Sequence, residues 1–300
     1  MGKNLKTISP LGIGTSQLAS WGRGITLVEA KRLFDTALDY NATTIDTADT
    51  YGSGDSERIV GKAIANKRAD FYIITKAGFP HLDLPGLLSP FNQIGKKIMQ
   101  KAAFKQCYSK KYLITSLEKS LKRLNTDYVD AFLLHEPLGA ALKEFDDFYE
   151  ALELIKKKGM ANHVGISTND AAAYHIASGK ITLDLVETGM PYIPDEKETV
   201  FGHAKKDCIP VVLNEVLKPY KSLLANDSIM AVLKKHAKSD EDLLSILLAY
   251  AINEKKGQCA LIGTRNPKHL IQNIEGFHNN AHFIAIFNEI SSQFSVKVRN

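Results

Sequence analysis

The chain has 300 residues, 44% hydrophobic and 24% charged, with a net charge of +5. This make-up gives enough apolar material for a substantial core and lacks the dense Lys/Arg footprint of a nucleic-acid binder, while leaving room for an anionic small molecule. Three cysteines, Cys107, Cys208 and Cys259, odd in number and without CxxC spacing, point to neither a disulfide framework nor a zinc site, and read as buried thiols of a reducing compartment.

In chain order, short aliphatic or β-branched runs alternate with longer stretches of helical period. The strand candidates are "LGIGT" (11 to 15), "TTIDTA" (43 to 48), "FYIITKA" (71 to 77), "VDAFLLHE" (129 to 136), "NHVGIS" (162 to 167), "LDLVETG" (183 to 189), "IPVVLN" (209 to 214) and "CALIGT" (259 to 264). Between them lie helix candidates such as "TLVEAKRLFDTALDY", "SERIVGKAIANK", "YLITSLEKSLKRLN", "LKEFDDFYEALELIKKKG" and "SDEDLLSILLAYAINEKKG". In the third, Leu113, Leu117, Leu121 and Leu124 form an apolar stripe that needs a sheet to cover it. Eight strand-helix units without a composition break predict an α/β fold, a (β/α)₈ TIM barrel forming one domain over residues 1 to 300.

Two segments exceed the usual βα loop: residues 78 to 111 after strand three and 215 to 238 after strand seven. Both belong to the C-terminal face, where barrel active sites lie, and are expected to act as lids. The start "MGKNLKTISP" has no apolar signal region, and the run Leu243 to Ile252 is too short to span a bilayer. A cytoplasmic protein without membrane or nucleic-acid partners is expected, as a monomer or small homo-oligomer.

Asp46 closes strand two, Lys76 strand three and His135 strand four, with Tyr51 in the loop after strand two. Neighbouring barrel strands are about 4.8 Å apart, so groups at successive C-terminal ends converge. Singly, each has a structural explanation, but burying all four together is costly unless the cluster is used. A neighbouring ammonium lowers a phenol's pKa, a carboxylate holds the ammonium, and an imidazole can donate to an oxygen that becomes negative. The expected chemistry is protonation of a carbonyl oxygen by Tyr51. Asp46 and Asp49 lack further partners at ligand spacing, so no metal is expected. A GxGxxG fingerprint is absent.

The motifs "LGIGT", "DTADTYGSGDSE", "ITKAG", "SLKRLNTDYVDAFLLHEP", "GISTND" and "LIGTRNPKHLIQNI", in this order and spacing, resemble the aldo-keto reductase superfamily over nearly the whole chain. The resemblance implies a single (β/α)₈ barrel that binds NADP(H) across its C-terminal face, with Asp46, Tyr51, Lys76 and His135 as the catalytic tetrad and an aldehyde, ketone or sugar carbonyl, or the corresponding alcohol, as substrate. It also implies cofactor contacts from Gly14, Thr15, Asp46, Ser167, Thr168, Glu187, Asn214, Gly263, Thr264, Arg265, His269, Gln272 and Asn273.

Several of these positions depart from the family pattern. Thr168 replaces an asparagine, with Asn169 next to it; the usual glutamine of strand six is missing, leaving Glu187 or Gly189; and Asn214 stands near the usual stacking aromatic. Thr264 and Arg265 open a helix whose N-terminus favours an anion, and His269 replaces a frequent arginine, so NADP(H) is expected with NAD(H) also usable.

The first long loop carries Lys96, Lys97, Lys101, Lys105, Lys110 and Lys111, with Phe91, Ile94, Ile98 and Ala102 at helical spacing and no acid from Phe91 to Lys111. It suggests an electropositive entrance suited to anionic carbonyls. Trp21, Tyr51 and His135 are the expected substrate contacts. The alternatives are a nicotinamide-nucleotide-binding barrel working as a sensor or regulatory subunit and, more distantly, an isomerase without nucleotide.

Overall fold

The computed structural model describes residues 7–19, 24–81, 105–192, 196–236, 238–239, 242–254, 257–278 and 280–294. Eight strands, β1 (Leu11–Gly14), β2 (Thr44–Asp46), β3 (Tyr72–Ala77), β4 (Val129–His135), β5 (Ala161–Ser167), β6 (Leu185–Gly189), β7 (Val211–Asn214) and β8 (Cys259–Ile262), run parallel. Each pairs with the next and β8 pairs with β1, closing a (β/α)₈ barrel.

The helices α1 (Leu27–Asp39), α2 (Asp55–Ala63), α3 (Lys110–Leu124), α4 (Gly139–Leu142), α5 (Phe148–Lys157), α6 (Ala171–Ser178) and α7 (Val200–Lys206) alternate with the strands. Their buried faces share one apolar layer with the outward strand residues, where Leu33, Phe34, Leu117, Phe132 and Leu134 pack together. The stripe read in α3 holds: Leu113, Leu117 and Leu124 are buried and Leu121 is half-buried. At the start of α1, the Glu29 amide donates to Thr26 Oγ1 (3.2 Å) and the Thr26 amide to Glu29 Oε2 (2.7 Å), a capping box that fixes where the helix begins.

Two expected helices are interrupted. Within the segment 142 to 159, α4 ends at Leu142 and α5 begins only at Phe148, with Asp147 at its N-cap position, so the residues around Asp146 and Asp147 interrupt the expected helix. The segment after β7 is a helical insertion, α8 (Tyr220–Leu224) and α9 (Asp227–Lys235), ahead of α10 (Asp242–Ala249) and a π-turn at Tyr250–Glu254. After β8 come α11 (Pro267–His278) and α12 (Asn280–Phe294). Most of the first long loop, with Lys96, Lys97 and Lys101, and Trp21 also, lie outside the described residues.

Inside the barrel, Tyr72, Ile74, Ala131, Leu133, Leu185, Val212, Cys259 and Leu261 form a second apolar cluster. The strands there come so close that a Cβ on Gly165 would lie 1.8 Å from the Leu185 carbonyl oxygen. Of the three cysteines, Cys259 is buried, but Cys107 is half-buried and Cys208 is exposed at a position with φ of +57°, so the expectation of three buried thiols fails for two. No helix among the described residues is long and apolar enough to cross a membrane.

Candidate active site

Side-chain parity decides what meets at the C-terminal end of the barrel. Alternate strand residues share a face, so Lys76 follows Tyr72 and Ile74 inward, His135 follows Ala131 and Leu133, Glu187 follows Leu185, and Asn214 follows Val212. Asp46, level with Gly14 on β1 and Ile74 on β3, and Ser167, level with His135 and Glu187, complete the ring.

Tyr51 reaches this ring from the turn after β2. Gly52, Ser53 and Gly54 adopt φ of +59°, +55° and +88°, a left-handed stretch that two glycines make accessible before α2 starts. The turn has no spare room: a Cβ on Gly52 would lie 2.5 Å from Ala19 Cβ, and one on Gly54 2.6 Å from Arg123 Cδ.

Lys76 is fully buried. Its ammonium donates to Asp46 Oδ1 and to the Thr47 carbonyl at 3.1 Å, lies 3.2 Å from Glu187 Oε2, and stands 5.4 Å from the centre of the Tyr51 ring. Asn214 Nδ2 in turn donates to Glu187 Oε1 at 2.9 Å. The His135 ring meets Tyr51 edge-on at 5.8 Å and Phe79 at 5.5 Å, while Thr50 Oγ1 lies 3.4 Å from His135 Nδ1. If Thr50 donates to Nδ1, the imidazole keeps its proton on Nε2.

The electrostatics follow from burial and two carboxylates. Burial disfavours the ammonium, but Asp46, Glu187 and Tyr51 outweigh it and hold Lys76 charged, above its ordinary range. Burial and the neighbouring Glu187 push the Asp46 carboxyl well up, against the pull of Lys76. For Tyr51, burial pushes the phenol up, Lys76 pulls it down, and Asp46 and Glu187 push it up again, leaving it above a free tyrosine. The expectation that the lysine lowers the phenol is thus corrected: its pull is present but outweighed. Such a phenol keeps its proton until an oxygen of higher basicity develops beside it.

A cavity of about 1310 Å³ opens over the ring. It is larger than the roughly 300–1,000 Å³ of a single small-ligand site, which leaves space for a nucleotide and a substrate together. Gly14, Asp46, Tyr51 and Ser167 line it, as do Thr168, Glu187, Asn214 and Gly263. Within its wall, Asn214 Oδ1 is buried without a hydrogen-bond donor among the described residues, and Glu187 Oε2, 3.2 Å from the Lys76 ammonium, accepts no hydrogen bond among them. A carboxamide N–H₂ group supplies the donors such acceptors lack, and Cβ atoms on Gly14 and Gly263 would meet nothing nearer than 3.8 Å, so both glycines leave the wall open. These residues fit a nicotinamide cofactor.

Other expected contacts are engaged within the protein or lie away from the cavity. Thr15 is fully buried, its hydroxyl donating to the Asp46 carbonyl at 2.9 Å and accepting from Ser56 at 2.8 Å, so it holds strand ends together and is removed from the set facing the cavity. Thr168 Oγ1 donates to the Pro137 carbonyl at 2.9 Å, and Asn169 Oδ1 accepts from Thr188 Oγ1 and the Gly189 amide at 2.8 and 2.7 Å. Thr264, Arg265, His269, Gln272 and Asn273 gather around the start of α11 and do not line the cavity; Thr264 and Asn273 are buried and His269 and Gln272 exposed. Arg265 lies near enough to Glu29 to help hold that carboxyl low, after the larger effect of the Thr26 amide and hydroxyl.

The chain belongs to the aldo/keto reductase family. The model of that family matches residues 10–291. This aldo/keto reductase is 33% identical over 161 residues to Uncharacterized oxidoreductase YqkF of Bacillus subtilis (strain 168), covering 54% of this chain and 45% of that protein, so the match spans less than half of that relative's length. It is 29% identical over 255 residues to Methylglyoxal reductase DkgB of Salmonella typhi, covering 83% of this chain and 80% of that one. Among solved structures, the holo form of an aldo-keto reductase from Bacillus halodurans shares its fold with a TM-score of 0.72 at 21% identity, over 93% of this chain and 92% of that one. The family consists of oxidoreductases that generally use nicotinamide cofactors.

Sequence reasoning missed Gln17, Glu136 and Glu215 on the cavity wall of this aldo/keto reductase. All three follow the C-terminal ends of strands, the position that could have singled them out. The described rim carries Glu136, Asp170 and Glu215 with Lys218 paired to Glu215 at 2.8 Å, while Lys96, Lys97 and Lys101, on which the expectation of a basic entrance rests, lie outside the described residues. Lys105 and Lys110 pair with Glu144 and Glu150 at 2.8 and 2.7 Å, acids that come from outside the loop. Among the described residues, no cluster of three or more His, Cys, Asp or Glu side chains is placed to hold a metal ion.

Proposed function

We propose that this chain is an NADP(H)-dependent oxidoreductase that reduces an aldehyde, ketone or sugar carbonyl, with Tyr51 as the proton donor. The observation that carries this reading is the position of Tyr51 on the cavity wall, beside a buried ammonium that two carboxylates hold. When bound, the nicotinamide supplies hydride equivalents for carbonyl reduction.

The protein's part is to bind, orient and move one proton. Tyr51 lines the cavity; as the carbonyl oxygen gains negative charge, the phenol O–H bond breaks, its proton forms the new alcohol O–H, and the pair left on the phenolate is stabilised by Lys76. His135, edge-on to Tyr51, is placed to donate to the same developing oxyanion. Ser167 and Asn214 on the wall orient the carboxamide.

Incubation with NADPH and a panel of aldehydes and ketones tests the reading. Nucleotide consumption that depends on both protein and carbonyl is expected, and tight NADPH binding without turnover of any carbonyl would favour a sensor instead.

The preference for the phosphorylated nucleotide is assigned to Arg265, at the turn into α11, where a helix N-terminus and a permanent cation both favour an anion. A charge-assisted hydrogen bond contributes about 1.5–3 kcal/mol. Arg265→Ala is accordingly expected to raise the KM for NADPH roughly tenfold or more and to leave that for NADH within about twofold; equal increases would count against the assignment.

A further inference from the structure

A buried ammonium has three N–H groups, and Lys76 has three oxygen neighbours without Tyr51: Asp46 Oδ1, the Thr47 carbonyl at 3.1 Å and Glu187 Oε2 at 3.2 Å. One carboxylate neutralises a lysine. Here a second carboxyl group, 2% exposed, is held against it by Asn214 at 2.9 Å, and burying a second acid beside the first is costly unless it serves the site.

We propose that Glu187 is a positioning residue for proton transfer: by standing 3.2 Å from the Lys76 ammonium and placing a second carboxylate beside it, Glu187 holds the proton on Tyr51 and biases the site toward giving protons to a carbonyl rather than taking them from an alcohol. This rests on the reading of Tyr51 as proton donor.

The phenol faces Lys76 from β3, Asp46 from β2, Glu187 from β6 and, further off, Glu136 after β4, with the His135 ring at 5.8 Å. Glu187 itself faces Lys76, Asp46, Asn214 of β7 and the buried Cys259 thiol of β8. Among the charges acting on the phenol, Lys76 alone draws its pKa down; both neighbouring carboxylates raise it, as burial does first. The sign is therefore fixed. A neutral phenol is present below its pKa and lost above it, so removing the Glu187 charge must bring that loss to lower pH.

Glu187→Gln keeps the volume and the acceptor for Asn214 while deleting the charge. Its Tyr51 titration is read without nucleotide, as the tyrosinate absorbance difference between each protein and its Tyr51→Phe counterpart. The expected result is a downward shift of at least about one pH unit in Glu187→Gln, wild-type behaviour in Glu187→Asp, and a matching shift of the alkaline limb of kcat for reduction. At fixed pH and with saturating substrates, the ratio of kcat for alcohol oxidation to kcat for carbonyl reduction should rise about tenfold. An unchanged or upward-shifted phenol in the folded Glu187→Gln protein overturns the proposal, and Glu187→Asp, which keeps the carboxylate, must leave the phenol where it is. A shifted phenol in a protein that reduces no carbonyl leaves the hold of Glu187 on the Tyr51 proton standing and sinks the functional reading instead.

Discussion

Replacing Lys76 with methionine is expected to lower the stability of the barrel by about 3–5 kcal/mol, the cost of leaving buried charge unpaired, and to abolish most carbonyl reduction. Both effects have one cause. Lys76 is fully enclosed with Asp46 and Glu187 on its ammonium, and methionine offers neither carboxylate a donor. The pH dependence gives the check. In the native protein the Asp46 carboxyl is already held well above its ordinary range by burial and Glu187, and Lys76 is the group that pulls it down. Without that pull it rises further, so the folded variant binds a proton where the unfolded chain does not, and its stability falls as pH rises. Chemical denaturation at several pH values should show the gap between wild type and Lys76→Met widening from about pH 5 to pH 8. A gap independent of pH would mean that the carboxylates do not depend on this lysine.

The second large effect belongs to Tyr51→Phe. The substitution removes one oxygen from the cavity wall and leaves the ring to pack against His135. Positioned proton transfer contributes roughly 10²–10⁴-fold to rate, so kcat is expected to fall by that factor while nucleotide affinity, measured by fluorescence quenching, changes little. Loss of binding in parallel with rate would assign Tyr51 to holding the cofactor. On the proposed reading, the two variants separate an ammonium expected to support both fold and chemistry from a phenol expected to serve the chemistry alone.

Much of this geometry was legible beforehand because a parallel barrel obeys parity. Once the strands ending at Asp46, Lys76 and His135 were placed, their side chains had to meet. The turn "TYGSGD" was readable for a similar reason, since its glycines take the left-handed backbone that carries Tyr51 over the mouth. What escaped were balances among neighbours. Glu187 read as a stand-in for a cofactor-binding glutamine, but whether a carboxylate at that position faces the cavity, the lysine or both depends on the level of β6 against β5 and β7. The direction of the Tyr51 shift likewise depends on how deeply the phenol is enclosed, which sequence spacing does not carry. Thr15 matched a family position yet is consumed by Ser56 and the Asp46 carbonyl, contacts between segments far apart in the chain. The lysine-rich loop was read from its own charges, although two of its lysines meet acids contributed by the helical layer around the barrel.

The most direct test of carbonyl reduction at this site is transfer of a label. NADPH carrying deuterium at the transferring position of nicotinamide C4 would be mixed with the protein and an aldehyde it reduces, and the product analysed by mass spectrometry. One deuterium on the carbinol carbon for each nucleotide oxidised, absent with Tyr51→Phe over the same time, is the predicted result. Nucleotide oxidised with the label lost to water, or label transfer undiminished in Tyr51→Phe, would contradict it.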